Sequence, residues 1–549
     1  MPVVEVNIRD LEKLVGRSLD LGEIEYYLPA LKCEIETIED EIVEYEATHD
    51  RPDLFSVEGL ARALKGLLEI ETGLRKFDTT DKGFKLLSNG PDYRPYVLGA
   101  VVRNVSLDEE AVRQLMGLQE RLHTTYCRNR RRVSIGLYDL DTIKPPIEYK
   151  AVDPTSISFI PLEETEEMNL LEILEKTEKG RAYAHLVKGR EKYPLLVDSN
   201  GKVLSFPPII NSEDTKVTEE TKNIFIDVTG THLQDMMEVL TIVATSVAER
   251  GELIEYVTVI KGSDTLKTPN LEPFKLEFDP GLVEKVGGVN VSREEAKKYL
   301  EMMRHGVKVE KNKLEVVVAP YRLDVLHPVD LVEDILMAYG YDNLEPEPLW
   351  STHWGMIHPI ERFTKSVRDL MVGLGFQEVA NYMMSNPETL VTKMGLQDVK
   401  LIEVVNPKME KYTCLRNWII PQLLEVIAVN EGLGWPLKIF EVGDVVIVDE
   451  REDNRARSER HLAALIASPE TTLTDILVVL KALLKSLRIE YKLVEDIHPS
   501  FIDGRFARVK AGEELGIVGE IHPKVLGAFE IKVPVSVLEL NLEKMLRLI

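Results

Sequence analysis

Four acidic side chains crowd into one short stretch of the chain: Asp324, Asp330, Glu333 and Asp334. The last three stand at positions i, i+3 and i+4, which places them on one face of a helix that begins after Pro328. A bend before that proline could fold Asp324 back towards them. Hard carboxylate oxygens without histidine or cysteine favour Mg²⁺. The alternative is an ordinary solvated helix start, since the positive end of a helix dipole favours acids. That alternative leaves the fourth acid unexplained, and like charges at i, i+4 repel.

A second group of polar side chains lies between residues 203 and 231. Two consecutive prolines at 207 and 208 fix the backbone, so polar residues around them project from a stiff frame. In the strand-like FIDVTGT, alternation puts Asp227 and Thr229 on one face. Such side chains could hold a water and an ammonium group without a covalent nucleophile. Turn chemistry beside a half-buried strand is the alternative, and the local pattern alone favours it. The candidate residues are Ser205, Asn211, Ser212, Asp227 and Thr229.

Several familiar catalytic motifs are missing from the sequence. It has no GxxxxGK[ST] loop, no GxGxxG after a strand, no HExxH and no GxSxG. These absences argue against a self-contained P-loop, Rossmann or serine-hydrolase enzyme. The three cysteines are far apart, form no zinc spacing and suit a reducing compartment.

The overall charge limits the partners that the chain can attract. A formal net charge of -26 repels polyanions at long range and argues against a non-specific nucleic-acid coat. Basic residues still cluster in CRNRRRV, residues 127–133. This cluster is either a solvated entry into a strand or a direct contact with RNA, and the pattern favours the solvated strand entry. Apolar runs such as ILVVLKALL stop well short of the roughly 18 residues that a membrane span needs. We expect a cytoplasmic protein that does not enter a membrane.

The chain divides into four segments by its turn-rich stretches. A length of 549 residues suggests three to five domains at about 100–200 residues each. Pro- and Gly-rich boundaries and periodicity predict a multidomain α+β protein. The segments are an α/β N-terminal domain at 1–90, a second α/β domain at 91–265, a small helical, winged-helix-like module at 270–348, and a C-terminal domain at 349–549.

Seven motifs in order together resemble the beta subunit of phenylalanine–tRNA ligase, in its archaeal and eukaryotic form. Any one of them is modest support, but seven in family order over nearly the whole chain are specific. Asp50 stands where the family usually has Asn. The motifs are DRPDLFSVEGLARAL, RRRVSIGLYDLDTI, VLSFPPIINSEDTKVTEETKNIFIDVTGT, YRLDVLHPVDLVEDILMAYGYDNL, CLRNWIIPQLLEVIAVNEG, KIFEVGDVV and GIVGEIHPKVLG.

The resemblance implies a heterotetramer of two alpha and two beta subunits that attaches phenylalanine to tRNA(Phe). ATP and phenylalanine would bind the alpha subunit. The segment 91–265 would hydrolyse mischarged tyrosyl-tRNA(Phe) with the five polar residues named above. The four acids match the family's magnesium ligands one for one.

The C-terminal segment would be a class II synthetase-like domain, an antiparallel sheet with helices, that has lost its chemistry. Ile447 stands where a phosphate-binding Arg is expected, and an apolar side chain cannot neutralise a phosphate. A stand-alone deacylase or RNA-binding module is the rival interpretation. The retained synthetase-like domain favours the interpretation as a ligase subunit, because a stand-alone deacylase would have no use for it.

Overall fold

A computed structural model describes residues 2–310, 313–348 and 353–549. The chain forms two compact units, Met1–Glu347 and Pro348–Ile549. The boundary expected at 348/349 adjoins residues 349–352, which lie outside the described residues. Within the described ranges, the helices are too short or too polar to cross a membrane.

The first unit opens with a small antiparallel sheet in the order β1-β3-β2, packed against helices. Ser56 caps the third helix by accepting the Gly59 amide at 3.2 Å, and that helix is buried almost throughout. The elements are β1 Val3–Asn7, α1 Ile8–Val15, α2 Leu21–Ala30, β2 Cys33–Glu39, β3 Ile42–Ala47 and α3 Val57–Leu67.

A ten-stranded mixed sheet forms the centre of the first unit, in the order β12-β11-β10-β7-β4-β14-β5-β13-β6, with β15 paired to β14. Its strands are β4 Thr79–Asn89, β5 Tyr96–Arg103, β6 Val133–Asp139, β7 Ile147–Val152, β10 Tyr193–Val197, β11 Val203–Phe206, β12 Ile210–Asn211, β13 Asn223–Gly230, β14 Leu253–Lys261 and β15 Asp264–Thr268; β8 Ser158–Phe159 and β9 Met168–Asn169 pair separately. The helices are α4 Glu109–Thr124, α5 Leu170–Lys176, α6 Glu178–Tyr183 and α7 Leu233–Val247.

Strand β4 lies before the domain boundary expected at residue 90 but pairs with strands that follow it. It pairs in parallel with β14 and with β7, both of which come much later in the chain. The strand therefore belongs to the large sheet. The turn at 88–95 joins two strands of that sheet, and local turn composition cannot reveal such distant pairing.

Strand β13 lies between β5 and β6, and almost all of it is buried. In both pairings the residue opposite Asp227 is a glycine, Gly99 on β5 and Gly136 on β6. Residues directly opposite in an antiparallel pair share a face of the sheet. Gly136 leaves space that the Asp227 carboxylate and the Tyr138 hydroxyl occupy, whereas the space at Gly99 is taken by Phe225 and Leu86.

A buried ion cluster joins helices α1 and α3 to the turn that follows α7. Arg250, which follows α7, donates from both terminal nitrogens to Asp10 at 3.0 and 2.6 Å. Its Nε donates to Glu58 at 2.5 Å. All three side chains are at most 5% exposed.

The segment expected at 270–348 holds three helices and an antiparallel sheet in the order β16-β18-β17. The sequence predicts the helices, and LEVVVAP at 314–320 predicts β18, but the other two strands were not predicted. The likeness to a winged helix stays a prediction. The elements are β16 Phe274–Phe278, α8 Gly281–Gly287, α9 Arg293–Met302, β17 Gly306–Glu310, β18 Lys313–Val318 and α10 Pro328–Tyr339.

The second unit is built on a seven-stranded sheet in the order β19-β22-β23-β27-β26-β25-β24, antiparallel except for the edge pair β19/β22. The sequence IEVVNP at 402–407 predicts a strand, but in the structure this stretch makes only a bridge from Glu403 to Cys414. The elements are α11 Pro359–Gly373, β19 Gln377–Glu378, β20 Met384–Ser385, β21 Cys414–Leu415, α12 Ile420–Asn430, β22 Leu437–Val448, β23 Ala456–Ala467, α13 Leu473–Ser486, β24 Lys492–Glu495, β25 Phe501–Ala511, β26 Glu513–Ile521, α14 Pro523–Ala528, β27 Val535–Asn541 and α15 Leu542–Leu546.

Candidate functional site

A cavity of about 290 Å³ opens on the large sheet where β6, β13 and the β11–β12 hairpin meet. Much of its wall is apolar and includes Pro207, Pro208 and Ile209. Polar side chains converge on one side of it. They are Ser134, Tyr138, Ser205, Asn211 and Asp227.

Three of these polar side chains form a hydrogen-bonded row. The Tyr138 hydroxyl donates to Asp227 Oδ1 at 2.5 Å and lies 2.8 Å from Ser205 Oγ. Burial raises the pKa of Asp227 to about 7, although the hydrogen bond from Tyr138 and the charge of Arg94 act in the opposite direction. A carboxyl group with such a pKa can take up or release a proton near neutral pH.

The cavity gathers three of the five predicted polar residues. Ser205, Asn211 and Asp227 line it. Ser212 does not, because its buried hydroxyl accepts the Asp214 amide at 3.4 Å and so caps a short turn. Thr229 also lies outside the lining, although it shares a strand face with Asp227 as predicted.

Thr229 belongs to a buried network around Arg94. Its hydroxyl accepts from Arg94 Nε at 3.0 Å and lies 2.9 Å from Ser134 Oγ. The guanidinium also donates to the Thr229 carbonyl at 2.7 Å. These contacts fix the end of β13 and leave the Thr229 side chain no free hydrogen-bonding role in the cavity.

Sequence reasoning missed Tyr138 and Gly136, both on β6. A Cβ atom at position 136 would overlap both the Tyr138 hydroxyl and Asp227 Oδ1. Glycine within a strand often marks a close approach of other atoms. The glycine inside RRRVSIGLYDLDTI was therefore a signal that the sequence offered.

The four acids of the predicted magnesium site are divided among different partners. Asp324 and Asp334 both accept from the Arg322 guanidinium, at 2.8–2.9 Å. His305 Nε2 lies 2.6 Å from Asp334 Oδ2. Burial alone would raise the pKa of Asp334, but the Arg322 charge and the His305 hydrogen bond hold it well below its usual range. Arg322 thus offsets the charge of this carboxylate pair, and Arg51 adds a second positive charge 3.9 Å from Asp324.

The other two acids point elsewhere. Asp330 accepts the amides of Leu326 and His327 at 2.8 and 2.7 Å, and so caps its own helix. Glu333 pairs with Lys32 at 2.8 Å. Among the described residues, no group of three or more His, Cys, Asp or Glu side chains is placed to hold a metal ion. As arranged in this chain alone, the four carboxylates do not fit one magnesium ion, and that assignment stays a prediction.

Comparisons with known proteins cover nearly all of the chain. Three family models match: the B3/4 domain at residues 95–239, the tRNA synthetase B5 domain at 276–341, and the phenylalanyl tRNA synthetase beta chain CLM domain at 348–542. The cavity residues fall within the first match.

Full-length relatives and a solved structure agree with these models. The phenylalanine–tRNA ligase beta subunit of Thermofilum pendens is 48% identical over 100% of this chain and 98% of the relative. That of Pyrococcus furiosus is 41% identical over 100% of both. A crystal structure of an N-terminal fragment of the Pyrococcus horikoshii beta subunit covers 62% of this chain and 100% of the fragment, at 42% identity and a TM-score of 0.59. The chain therefore belongs to the family of phenylalanine–tRNA ligase beta subunits.

Proposed function

We propose that this chain is the subunit of a phenylalanine–tRNA ligase that edits and scaffolds but does not itself attach phenylalanine. The observation that carries the editing role is the row Ser205–Tyr138–Asp227 in a largely apolar cavity. Its substrate is tyrosyl-tRNA(Phe), and its reaction is hydrolysis of the aminoacyl ester.

The need for such a reaction follows from physical limits on selectivity. A pocket shaped for phenylalanine rejects tyrosine weakly, since tyrosine only adds a hydroxyl; discrimination of that kind reaches about a hundredfold. A second site that hydrolyses the wrong ester restores accuracy. The cavity of about 290 Å³ has room for an aminoacyl group beside a water molecule.

Each residue of the row has a distinct task in this proposal. Ionised Asp227 accepts a proton from the attacking water and returns it to the ribose oxygen as the acyl–oxygen bond breaks; a pKa near 7 makes both transfers efficient at neutral pH. Tyr138 fixes the carboxylate by its hydrogen bond. Ser205 and Asn211 orient the substrate at the cavity wall. No covalent enzyme intermediate is needed.

The second unit acts as a scaffold for the alpha subunit in this proposal. At the position of the expected phosphate-binding Arg, Ile447 packs against the apolar cluster of that unit. Binding of ATP and phenylalanine and the charging reaction therefore belong to the alpha subunit. The assembly is a heterotetramer of two alpha and two beta subunits working in the cytoplasm.

Charging should depend strictly on the alpha subunit. The purified chain alone should show no phenylalanine-dependent pyrophosphate exchange, because its phosphate-binding position is apolar. Mixing it with a phenylalanine-specific alpha subunit should give charging of tRNA(Phe), and the two chains should co-purify. Exchange activity of this chain alone would contradict the scaffold role, and failure to co-purify would favour a stand-alone deacylase.

Gly136→Ala should abolish editing without preventing charging. The new methyl group would overlap Tyr138 and Asp227 and push apart the pair proposed to activate water. The assembled enzyme should then release tyrosine from tyrosyl-tRNA(Phe) at no more than about a hundredth of the wild-type rate. Gly373→Ala is the matched control, since a Cβ atom there meets nothing within 4 Å. If the Gly136→Ala enzyme deacylates tyrosyl-tRNA(Phe) at the wild-type rate, the Tyr138–Asp227 pair takes no part in the reaction.

A further inference from the structure

An arginine-rich turn between α4 and β6 holds three consecutive residues in the left-handed region. The φ angles of Arg128, Asn129 and Arg130 are +53°, +52° and +61°. A residue with a Cβ atom is strained in this conformation, and only single residues adopt it routinely. A left-handed turn built from arginine and asparagine therefore persists because surrounding contacts hold it.

Arg130 supplies those contacts and ties the turn to the cavity wall. Its Nη1 donates to the Ile209 carbonyl at 2.9 Å, and its Nη2 donates to Glu120 at 2.9 Å. The guanidinium lies 4.4 Å from the centre of the Tyr183 ring. Arg130 and Ile209 both line the cavity described above. Arg130 thus fixes the end of the turn to the cavity wall, whereas Arg128 lines a separate hollow beside Arg132 and Asp235.

The two neighbouring arginines face outwards from this turn. Arg128 and Arg131 are exposed, and the amide of Arg131 donates to the Arg128 carbonyl at 3.2 Å. Neither side chain makes an ion pair or hydrogen bond with any residue that the structure describes. Nearby Arg132 differs, because Asp235 neutralises it at 2.7 Å. Two free guanidinium groups on a stiff frame suit phosphate oxygens, which they can bind in a bidentate manner.

We propose that Arg128 and Arg131 bind backbone phosphates of the single-stranded 3′ end of tRNA, and so direct its aminoacyl group into the cavity. This inference rests on the proposed editing function. A strongly acidic molecule repels RNA at long range, so two free arginines within two residues of Arg130, which lines the cavity, compensate where the strand must approach. The contact is with phosphates, so it guides the strand without reading its sequence.

The test uses the ligase assembled with its alpha subunit and the double variant Arg128→Gly, Arg131→Ala. Glycine at 128 removes the charge and also eases the left-handed backbone, so the turn is retained. For hydrolysis of tyrosyl-tRNA(Phe), KM should rise about tenfold or more while kcat stays within twofold of wild type. The slope of log kcat/KM against log salt concentration should become shallower by roughly one to two, as expected for two lost phosphate contacts.

Two controls separate charge from structure. Asn129→Gly alters the same turn and keeps both arginines, so its KM should match wild type. Lys82→Ala with Lys285→Ala removes two exposed positive charges elsewhere in the same unit and should leave the salt dependence unchanged. A double arginine variant with wild-type KM and salt slope would overturn the inference. A fall in kcat with no change in KM would also overturn the inference, because the two arginines would then only maintain the structure of the cavity.

A binding measurement distinguishes failure of this inference from failure of the editing function. The probe is a short single-stranded oligoribonucleotide carrying tyrosine at its 3′ end through an amide, which resists hydrolysis. Wild type should bind it at least tenfold more tightly than the double arginine variant. If tyrosyl-tRNA(Phe) is not hydrolysed but this difference persists, only the editing function fails. If hydrolysis occurs and binding is equal, only the arginine contact fails.

Discussion

Asp227→Asn should slow hydrolysis of tyrosyl-tRNA(Phe) by about 10²–10⁴-fold in the assembled ligase, while phenylalanine charging stays unchanged. The amide has the shape of the carboxylate and can still accept from Tyr138, so the cavity keeps its form. It cannot accept a proton from water. Pre-formed tyrosyl-tRNA(Phe), mixed with enzyme and followed by release of tyrosine, gives the rate directly. Deacylation at the wild-type rate would make Asp227 a structural residue.

The pH dependence of editing should follow the same carboxyl group. The active form is ionised, so the wild-type rate should rise with pH through a midpoint near 7, the pKa to which burial raises Asp227, and then level off. The hydrogen bond from Tyr138 lowers that pKa, so Tyr138→Phe should move the profile to higher pH. A pH profile of single-turnover deacylation measures both effects.

Stability measurements would distinguish such a loss of activity from unfolding. A carboxyl group with a raised pKa binds more protons in the folded state than in the unfolded chain. It therefore favours folding most below about pH 3.8, and that contribution is lost as the pH rises to about 7. Above that pH the wild type holds a buried charge that Asp227→Asn lacks. At pH 7.5 the free energy of unfolding of the variant should therefore equal or exceed that of wild type, and the difference should not exceed about 4 kcal/mol.

Arg322→Met should lower the free energy of unfolding of the unit Met1–Glu347 by about 3–5 kcal/mol. The guanidinium neutralises Asp324 and Asp334, and without it two buried carboxylates repel each other. Denaturant unfolding followed by a probe in this unit measures the change. Arg304→Met is the matched control: Arg304 is also buried, but its partner Glu71 is 42% exposed and can turn to water, so its loss should be smaller.

Added magnesium turns the same variant into a test of the four predicted ligands. If Arg322 occupies the place of the cation, millimolar Mg²⁺ should stabilise Arg322→Met but not the wild-type chain, by the linkage of binding to folding. If the wild-type ligase is stabilised by Mg²⁺, and Asp330→Asn with Asp334→Asn removes that effect, the family-based metal assignment holds despite the arrangement described here.

The sequence predicted features that repeat over a few residues, and its failures concern contacts made across long separations. Alternation placed Asp227 and Thr229 on one strand face, as observed. It could not show that β6 would pair with this strand. That pairing brings Tyr138 to Asp227 and Ser134 to Thr229. Strand register between distant segments depends on the whole sheet.

The acids of α10 illustrate the same limit. Their helical spacing was predicted correctly, but their cations were not. Lys32, the partner of Glu333, lies 301 residues away in the chain. Arg322, by contrast, was visible two positions before Asp324. Its role became clear only when burial showed that water cannot screen the pair.

The ion cluster around Arg250 has a consequence for exchanging domains between relatives. Its two acids come from α1 and α3, whereas the arginine follows α7 in the large sheet. A chimera that joins the first small sheet of one protein to the large sheet of another must inherit Asp10, Glu58 and Arg250 together. Inheriting only the acids, or only the arginine, leaves a buried charge without its partner. Recombination within this unit is therefore constrained by side chains that have no part in the proposed catalysis.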